Sequence, residues 1–537
     1  MPNLKRPHSA RTPLFRSLQR LLKLAHISNG PAKLPADELG EMQQQAQMNR
    51  RHFLRIAGAT TALAGSGVLT MSCATDKSRA APRVVIIGGG VAGLNAAYNL
   101  KRGGVRTEIF EASKRSGGRI FTANNIMAPG LTTELGGEFI DSNHKEMLAL
   151  AKEFRLGLID VAAASESALT KEAYFFDGAH HTEAEAIEVF RPLAEKIAAD
   201  TKDLAEVVDF EHKGGATKLD KTSLAQYLDS VGATGWMREL LDVAFVTEFG
   251  RDAGEQSALN MLFMISTDLS KNEFALLGES DERYKIKGGN QLVTDELAKR
   301  VTGEIHHEQR LVAIKPRDKG YTLAFDGPGA RDVEADFVIV TIPFTMLRAV
   351  DIQVPLPDYK KKAIAELGYG NNAKLMLGYK RRIWRDLGHS GNIYSDEPFQ
   401  LAWDNSRLQG GTTGGLTLYS GGKAALDLGE GTPKEQAERL APGIEKAFPG
   451  LASQHNGNVE RFHWPSHPFT KAAYACYQPG QWTTIAGAEI KPVGNLFFAG
   501  EHCSSDFQGF MNGGAETGKR AAKSVLKTLR KRWMFGS

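Results

Sequence analysis

The sequence predicts an α/β chain organised around a dinucleotide-binding lobe. Two stretches carry that expectation: residues 84–93, and a second strand that ends in an acid at Glu111. Val84, Val85, Ile86 and Ile87 are four β-branched residues in a row, the pattern of a strand buried on both faces. The turn after them has the G-x-G-x-x-G spacing at Gly88, Gly90 and Gly93, with Ala92 inside it. The first glycine makes the tight turn, the second lets backbone approach a pyrophosphate, and the third lets helix and strand pack closely. Leu94 to Arg102 reads as a helix with Ala96, Ala97 and Leu100 on one face, and its N-terminus offers free N–H groups to phosphates. Val105 to Phe110 reads as the second strand. Glu111 follows about 20 residues past the first glycine, where a carboxylate accepts hydrogen bonds from a ribose hydroxyl. The bland alternative is an ordinary βαβ unit, and the combination of strand, spacing and acid outweighs it.

At 537 residues the chain should form two or more packed lobes. A hydrophobic share of 42% with 24% charged residues places it among ordinary globular proteins. The formal net charge of +4 is mild and sits largely at the two ends, which argues against nucleic-acid binding. Three cysteines (Cys73, Cys476, Cys503) make neither a disulfide framework nor a C-x-x-C zinc pair. No tandem repeat is visible.

Residues 1–80 read as an extension outside the fold. Arg50-Arg51-His52-Phe53-Leu54-Arg55 follows Met48, and the uncharged run from Ile56 to Met71 is too short and mild to span a bilayer. Together they resemble a bacterial twin-arginine export signal, which makes Met48 a plausible start and places the product in the periplasm or anchored on its membrane face. The alternative is a genuine basic presequence, since Leu14 to Leu24 suits a basic amphipathic helix. Thr70-Met71-Ser72-Cys73 resembles a lipoprotein box with Cys73 as the acylated residue; a simple cleaved signal ending between Ser72 and Ala81 is equally open.

Directly after Glu111 comes Ser116-Gly117-Gly118-Arg119. Two glycines let backbone pass close to a ligand, and an arginine beside them suits a pyrophosphate. Following the fingerprint at this distance, the arrangement is similar to the flavin amine oxidase family, which includes monoamine, polyamine and L-amino-acid oxidases. That resemblance implies FAD as the cofactor. Glu134-Leu135-Gly136-Gly137-Glu138-Phe139-Ile140 resembles the family segment that runs under the flavin. Members that oxidise amino acids often carry Pro-Met-Arg there, whose arginine holds the substrate carboxylate; this chain lacks it. Glu138 is a candidate to face a substrate ammonium, with a polar strand-end role as the alternative.

The apolar spacing from Lys145 to Arg155 is helical, and residues from about 165 to 280 read as several helices. This looks like the family's substrate lobe. The histidine pairs at 180–181 and 306–307 lack further ligands, so no metal site is expected. Tyr284-Lys285-Ile286-Lys287-Gly288-Gly289-Asn290 resembles the family's second FAD-contacting element. Leu311 to Ile314 and Tyr321 to Phe325 read as a hairpin, with Leu311 near the adenine by resemblance or simply in the core. Asp336 to Pro343 is a buried strand ending at a proline.

In Ala373-Lys374-Leu375-Met376-Leu377 the lysine either points to solvent or sits in a functional pocket. The resemblance implies the second, with Lys374 holding a water against the flavin and helping its reoxidation by oxygen. Near the C-terminus, Trp464, Tyr474, Leu496-Phe497-Phe498-Ala499-Gly500-Glu501 and Gln508-Gly509-Phe510-Met511-Asn512-Gly513 form the most specific match. A buried strand ending in Ala-Gly-Glu, then a glycine-rich helix start at Met511, aims a helix dipole at the flavin's pyrimidine end. The resemblance implies that Tyr474 and Phe510 form an aromatic cage beside Trp464; taken alone, both would be core aromatics. Where monoamine oxidases carry the cysteine bonded to flavin, this chain has Ala473, so the FAD should be non-covalent. Cys476 and Cys503 default to buried thiols, with a disulfide as the alternative, and Lys519 to Trp533 reads as a solvated terminal helix.

The expected architecture is therefore a Rossmann-like FAD-binding domain interleaved with an α+β substrate-binding domain. The expected FAD-binding pieces are 83–140, 281–345 and 464–530; the substrate pieces are 141–280, mainly helical, and 346–463. The expected activity is FAD-dependent oxidative deamination of L-amino acids or amines, with oxygen as co-substrate and hydrogen peroxide as product. A primary amine or polyamine oxidase, a tryptophan-2-monooxygenase-like enzyme, and a desaturase or isomerase of the same fold are the alternatives. A homodimer is left open.

Overall fold

The structure is a computed structural model that describes residues 81–535 apart from 171–172, 206, 265–280, 302 and 304. The twin-arginine stretch, Cys73 and the candidate helix at 14–24 lie outside the described residues. Val84–Ile87 is buried along its whole length because it pairs in parallel with Thr107–Phe110 on one side and Phe337–Val340 on the other. Leu496–Phe498 extends the sheet beyond Phe337–Val340, and Ile305–His306 closes the opposite edge, giving five parallel strands.

Alternation along these strands divides the core in two. Val84, Ile86, Phe337, Ile339 and Phe497 pack with the helices Val91–Arg102, Lys145–Glu153, Gln291–Arg300 and Met511–Phe535. Val85, Ile87, Val338, Val340, Leu496 and Phe498 pack instead with the antiparallel meander Arg310–Pro316, Tyr321–Asp326 and Val333–Ala335. The terminal helix differs from its sequence reading. Ala515, Ala521, Ala522, Val525 and Leu529 are buried against the first helix, so one face is core and only the other is solvated.

The second lobe is a seven-stranded sheet ordered His455–His463, Asn372–Tyr379, Gly414–Gly421, Leu401–Asp404, Ile393–Ser395, Ala173–Phe176, Ala179–His181. The last two strands lie in a region read as helical from sequence. Their aromatic run pairs in parallel with Ile393–Ser395, a partner far along the chain that local pattern cannot announce. The expected helices do follow: Glu183–Thr201, Leu224–Val231, Gly235–Phe249 and Ala258–Met264. Capping boxes at Thr182/Glu185 and Ser223/Gln226 set the starts of the first two. No helix among the described residues is long and apolar enough to cross a membrane.

Between the lobes lies one large cavity, at the C-terminal ends of the parallel strands, where Ile87, Phe110, Thr341 and Gly500 line it. The turn that opens it is tightly constrained. Gly88 has φ +105°, and a Cβ on Gly93 would stand 2.0 Å from the Gly88 carbonyl oxygen. Gly93→Ala is therefore expected to lower stability by about 1–3 kcal/mol, because backbone rather than a flexible side chain must yield. Denaturant unfolding of the two proteins measures this; an unchanged midpoint contradicts it.

Candidate active site

The cavity has a volume of about 560 Å³, and it collects residues from most of the segments singled out in the sequence, though none of residues 284–290, expected to contact FAD, lines it. Gly88, Gly90, Ala92, Glu111, Gly118, Arg119, Glu138, Leu311, Lys374, Trp464, Tyr474, Gly500, Glu501, Phe510 and Met511 all line it. Gly93 does not, since its task is the helix–strand contact described above.

At one end the cavity is a cradle of backbone. A Cβ on Gly90 would meet nothing nearer than the Gly118 Cα at 3.8 Å, so its open side faces the cavity. Glu111 is buried, with Oε2 accepting from the Gly89 N–H at 2.7 Å and Oε1 from the Ser113 N–H at 2.7 Å. Those bonds fix the carboxylate and leave lone pairs for a ribose hydroxyl. Arg119 donates to the Glu501 carboxylate at 2.9 Å and to the Ala473 carbonyl. Glu501 also accepts from the Ala475 N–H at 3.3 Å and the Gly509 N–H at 2.7 Å. Met511 opens the terminal helix at the cavity wall, so the positive end of that helix faces inward. Exposed N–H groups, an oriented carboxylate and room for backbone approach fit a dinucleotide such as FAD.

The other end is aromatic and holds a buried ionic group. Lys374 lies on Asn372–Tyr379, a strand buried at every position because the sheet is covered on both faces. Its side chain is only 6% exposed. Its Nζ donates to the Glu134 carbonyl at 3.0 Å, the Gly136 carbonyl at 2.9 Å and Glu138 Oε2 at 2.9 Å. All three N–H groups of the ammonium are thereby engaged, which leaves none to hold a water. Glu138 Oε1 accepts from Lys285 Nζ at 2.8 Å. Glu138 therefore bridges two lysines, and the expected role facing a substrate ammonium gives way to an internal ion pair on each oxygen. Burial pushes its pKa up, but Lys285 and Lys374 outweigh it and hold the carboxyl below its usual range. Burial lifts the neighbouring Glu134 to about 7, against the opposing Asn290 N–H.

Tyr474 is held by its hydroxyl, 2.9 Å from that of Tyr419 and 3.2 Å from the Thr247 carbonyl it donates to. Phe510 rests edge-on against His144, with ring centroids 5.0 Å apart. Trp464 donates to the Leu135 carbonyl at 3.1 Å, and Trp403 places its ring 5.2 Å from Lys374 Nζ. Sequence reasoning missed Lys285, Trp403 and Tyr419. Lys285 carried a usable signal, a lysine between Tyr284 and Ile286 beside a glycine pair. Trp403 and Tyr419 carried none, because strand pairing alone brings them into the wall. Cys476 and Cys503 are buried thiols that are not joined in a disulfide.

Two measurements follow. Glu138→Ala strands two buried ammonium groups and is expected to cost about 3–5 kcal/mol of stability by denaturant unfolding. His502 is buried with neither ring nitrogen hydrogen-bonded, and burial, assisted by Arg119 and Lys360 against Glu501, lowers its pKa to about 4. Its neutral form thus contributes stability that is complete above the unfolded value of about 6.5 and lost as pH falls toward 4. From pH 7 to pH 5 that loss is roughly 2 kcal/mol, and His502→Leu should remove it from the pH dependence of unfolding.

Comparison with known proteins accounts for this arrangement. The family described as "Flavin containing amine oxidoreductase" matches residues 91–526. A pseudooxynicotine dehydrogenase from Pseudomonas sp. is 24% identical over 511 residues, covering 92% of this chain and 99% of the relative. An L-amino acid dehydrogenase from Synechocystis sp. is 24% identical over 485 residues, covering 87% and 99%. The fold is shared with cyclohexylamine oxidase from Brevibacterium oxydans, at a TM-score of 0.73 and 22% identity over 84% of this chain and 100% of that one. The family match runs from the helix that follows the glycine turn through Lys374 to the Gly500–Glu501 ending, so the chain belongs to the flavin-containing amine oxidoreductases, and its cofactor is FAD.

Proposed function

We propose that the protein oxidises amines that carry no α-carboxylate, with oxygen as the final acceptor. One observation carries this reading: among the described residues, the buried cations at the aromatic end of the cavity are all committed to acceptors within the protein, and Lys471, which also lines the cavity, is exposed. Lys374 and Lys285 are bound to Glu138, and Arg119 to Glu501. Arg115 is spent on the carbonyls of its own loop, and Arg310 pairs with Asp326. A substrate carboxylate would have to be desolvated without a partner there, at a cost of several kcal/mol. The alkyl part of an amine meets Phe139, Trp403, Tyr419 and Phe510 instead.

When bound, FAD supplies the two-electron acceptor for oxidation of the substrate's C–N bond. The residues' part is placement: Tyr474, fixed through Tyr419 and Thr247, and Phe510, fixed by His144, orient the amine and keep water from the carbon being oxidised. The imine is then hydrolysed to a carbonyl compound and ammonia, and oxygen leaves as hydrogen peroxide. With Ala473 at the position a flavin-bonded cysteine would need, the cofactor is held non-covalently.

A second reading, oxidation of L-amino acids, is favoured by the excess positive charge of the Lys285–Glu138–Lys374 group and by the L-amino acid dehydrogenase relative. Anaerobic mixing of the purified protein with primary amines, diamines and L-amino acids, followed by bleaching of the flavin band, separates the two. Amines are expected to reduce the flavin at least about a hundredfold faster, in line with an unpaired buried charge. Faster reduction by an L-amino acid overturns the proposal. Admitting oxygen should yield one peroxide per flavin reoxidised, and acid precipitation should release the FAD.

A further inference from the structure

We infer that Glu138 and Lys285 are positioning residues for Lys374: the carboxylate clamps its ammonium, and the second lysine leaves the three-membered group with one positive charge in the cavity wall. The inference rests on the FAD reading above. Glu138, Lys285 and Lys374 are all at least 94% buried, with side-chain exposures of 4%, 5% and 6%. They come from three separate elements: the segment after Thr132–Glu134, the strand Tyr284–Ile286 and the strand Asn372–Tyr379.

Neutrality would have needed only one lysine. A Glu138–Lys374 pair is complete in charge, and burying Lys285 beside it carries a desolvation cost that the pair itself does not demand. Lys285 is also not required by its second acceptor. It donates to the Asn405 carbonyl at 3.2 Å, but Gln409 Nε2 reaches the same oxygen at 3.0 Å. The other nearby acid, Glu134, accepts from the Asn290 N–H and the Thr122 hydroxyl, forms no direct pair with either lysine and is lifted by burial to about 7, so that below pH 7 it is mostly protonated and leaves the excess positive charge in place. What Lys285 adds is charge. A fixed positive charge in a water-poor wall favours any bound group that gains negative charge, and a ring that accepts two electrons is such a group. Lys374, tied by three hydrogen bonds, cannot swing away as that charge develops.

The test compares the FAD-loaded wild type with Lys285→Gln, which keeps a hydrogen-bond donor and removes the charge, and with Lys285→Arg, which keeps the charge. Two properties are read that do not depend on turnover: the midpoint potential of the bound flavin, and the affinity for sulfite, whose adduct with oxidised flavin is anionic and bleaches the visible band. Lys285→Gln should shift the potential to more negative values and weaken sulfite binding at least about tenfold. Lys285→Arg should stay within about threefold of wild type. Sulfite affinity in Lys285→Gln within about threefold of wild type overturns the inference, and so does a yellow wild-type protein that takes up no sulfite at all. The wild-type titration decides even if Lys285→Gln does not fold. A colourless wild-type protein would instead sink the FAD reading, so the two failures are distinct.

Discussion

One carboxylate holds the cavity together. Glu501 accepts from Arg119, from the backbone of Ala475 and from the backbone of Gly509, so three segments that are far apart in sequence meet on two oxygen atoms. Arg119 belongs to the loop after the first βαβ unit, Ala475 to the stretch carrying Tyr474, and Gly509 to the lead-in of the helix Met511–Phe535. The glycine cradle, the aromatic end and the inward-facing helix therefore share one reference point. The buried position of Glu501 makes each of these charge-assisted bonds stronger than it would be in water and costly to leave half made.

The two ends of the cavity use opposite electrostatic means. At the nucleotide end, attraction for phosphate comes from backbone N–H groups and helix termini, with Arg119 already neutralised by Glu501. At the reacting end, charge is concentrated in side chains and almost wholly satisfied from within: Lys374 by three acceptors, Glu138 by two lysines. That internal closure leaves mainly aromatic surface to meet a substrate. In the proposed function, selectivity rests on shape and on what the site refuses to solvate.

The nucleotide half of this design was legible in the sequence because its chemistry is local. Gly88, Gly90, Gly93 and Glu111 lie within one βαβ unit, where spacing alone specifies turn, approach and acid. The Ala-Gly-Glu ending and the missing cysteine at Ala473 were legible for the same reason. Lys374 was half legible: an apolar strand flagged it, yet only the covered sheet decides that it is buried. The engagement of Glu138 was not legible, because a lone glutamate does not declare which distant lysines will meet it. Trp403 and Tyr419 depend on the register of Leu401–Asp404 against Gly414–Gly421, and the strands at 173–181 depend on a partner strand near residue 393. Such pairings are fixed by tertiary contacts, not by local preference.

The parallel sheet also dictates an order of events during synthesis. Val84–Ile87 leaves the ribosome long before its neighbour Phe337–Val340, and the outer strand Leu496–Phe498 comes later still. The helix Val91–Arg102 gains its most extensive packing partner only when Met511–Phe535 has been made. Until Phe337–Val340 is made one edge of the central strand is uncovered, and until Met511–Phe535 is made part of the helix's apolar face is, the condition in which a nascent chain is most open to chaperones and to wrong pairings. Loss of Met511–Phe535 would leave the nucleotide lobe without one wall of its core.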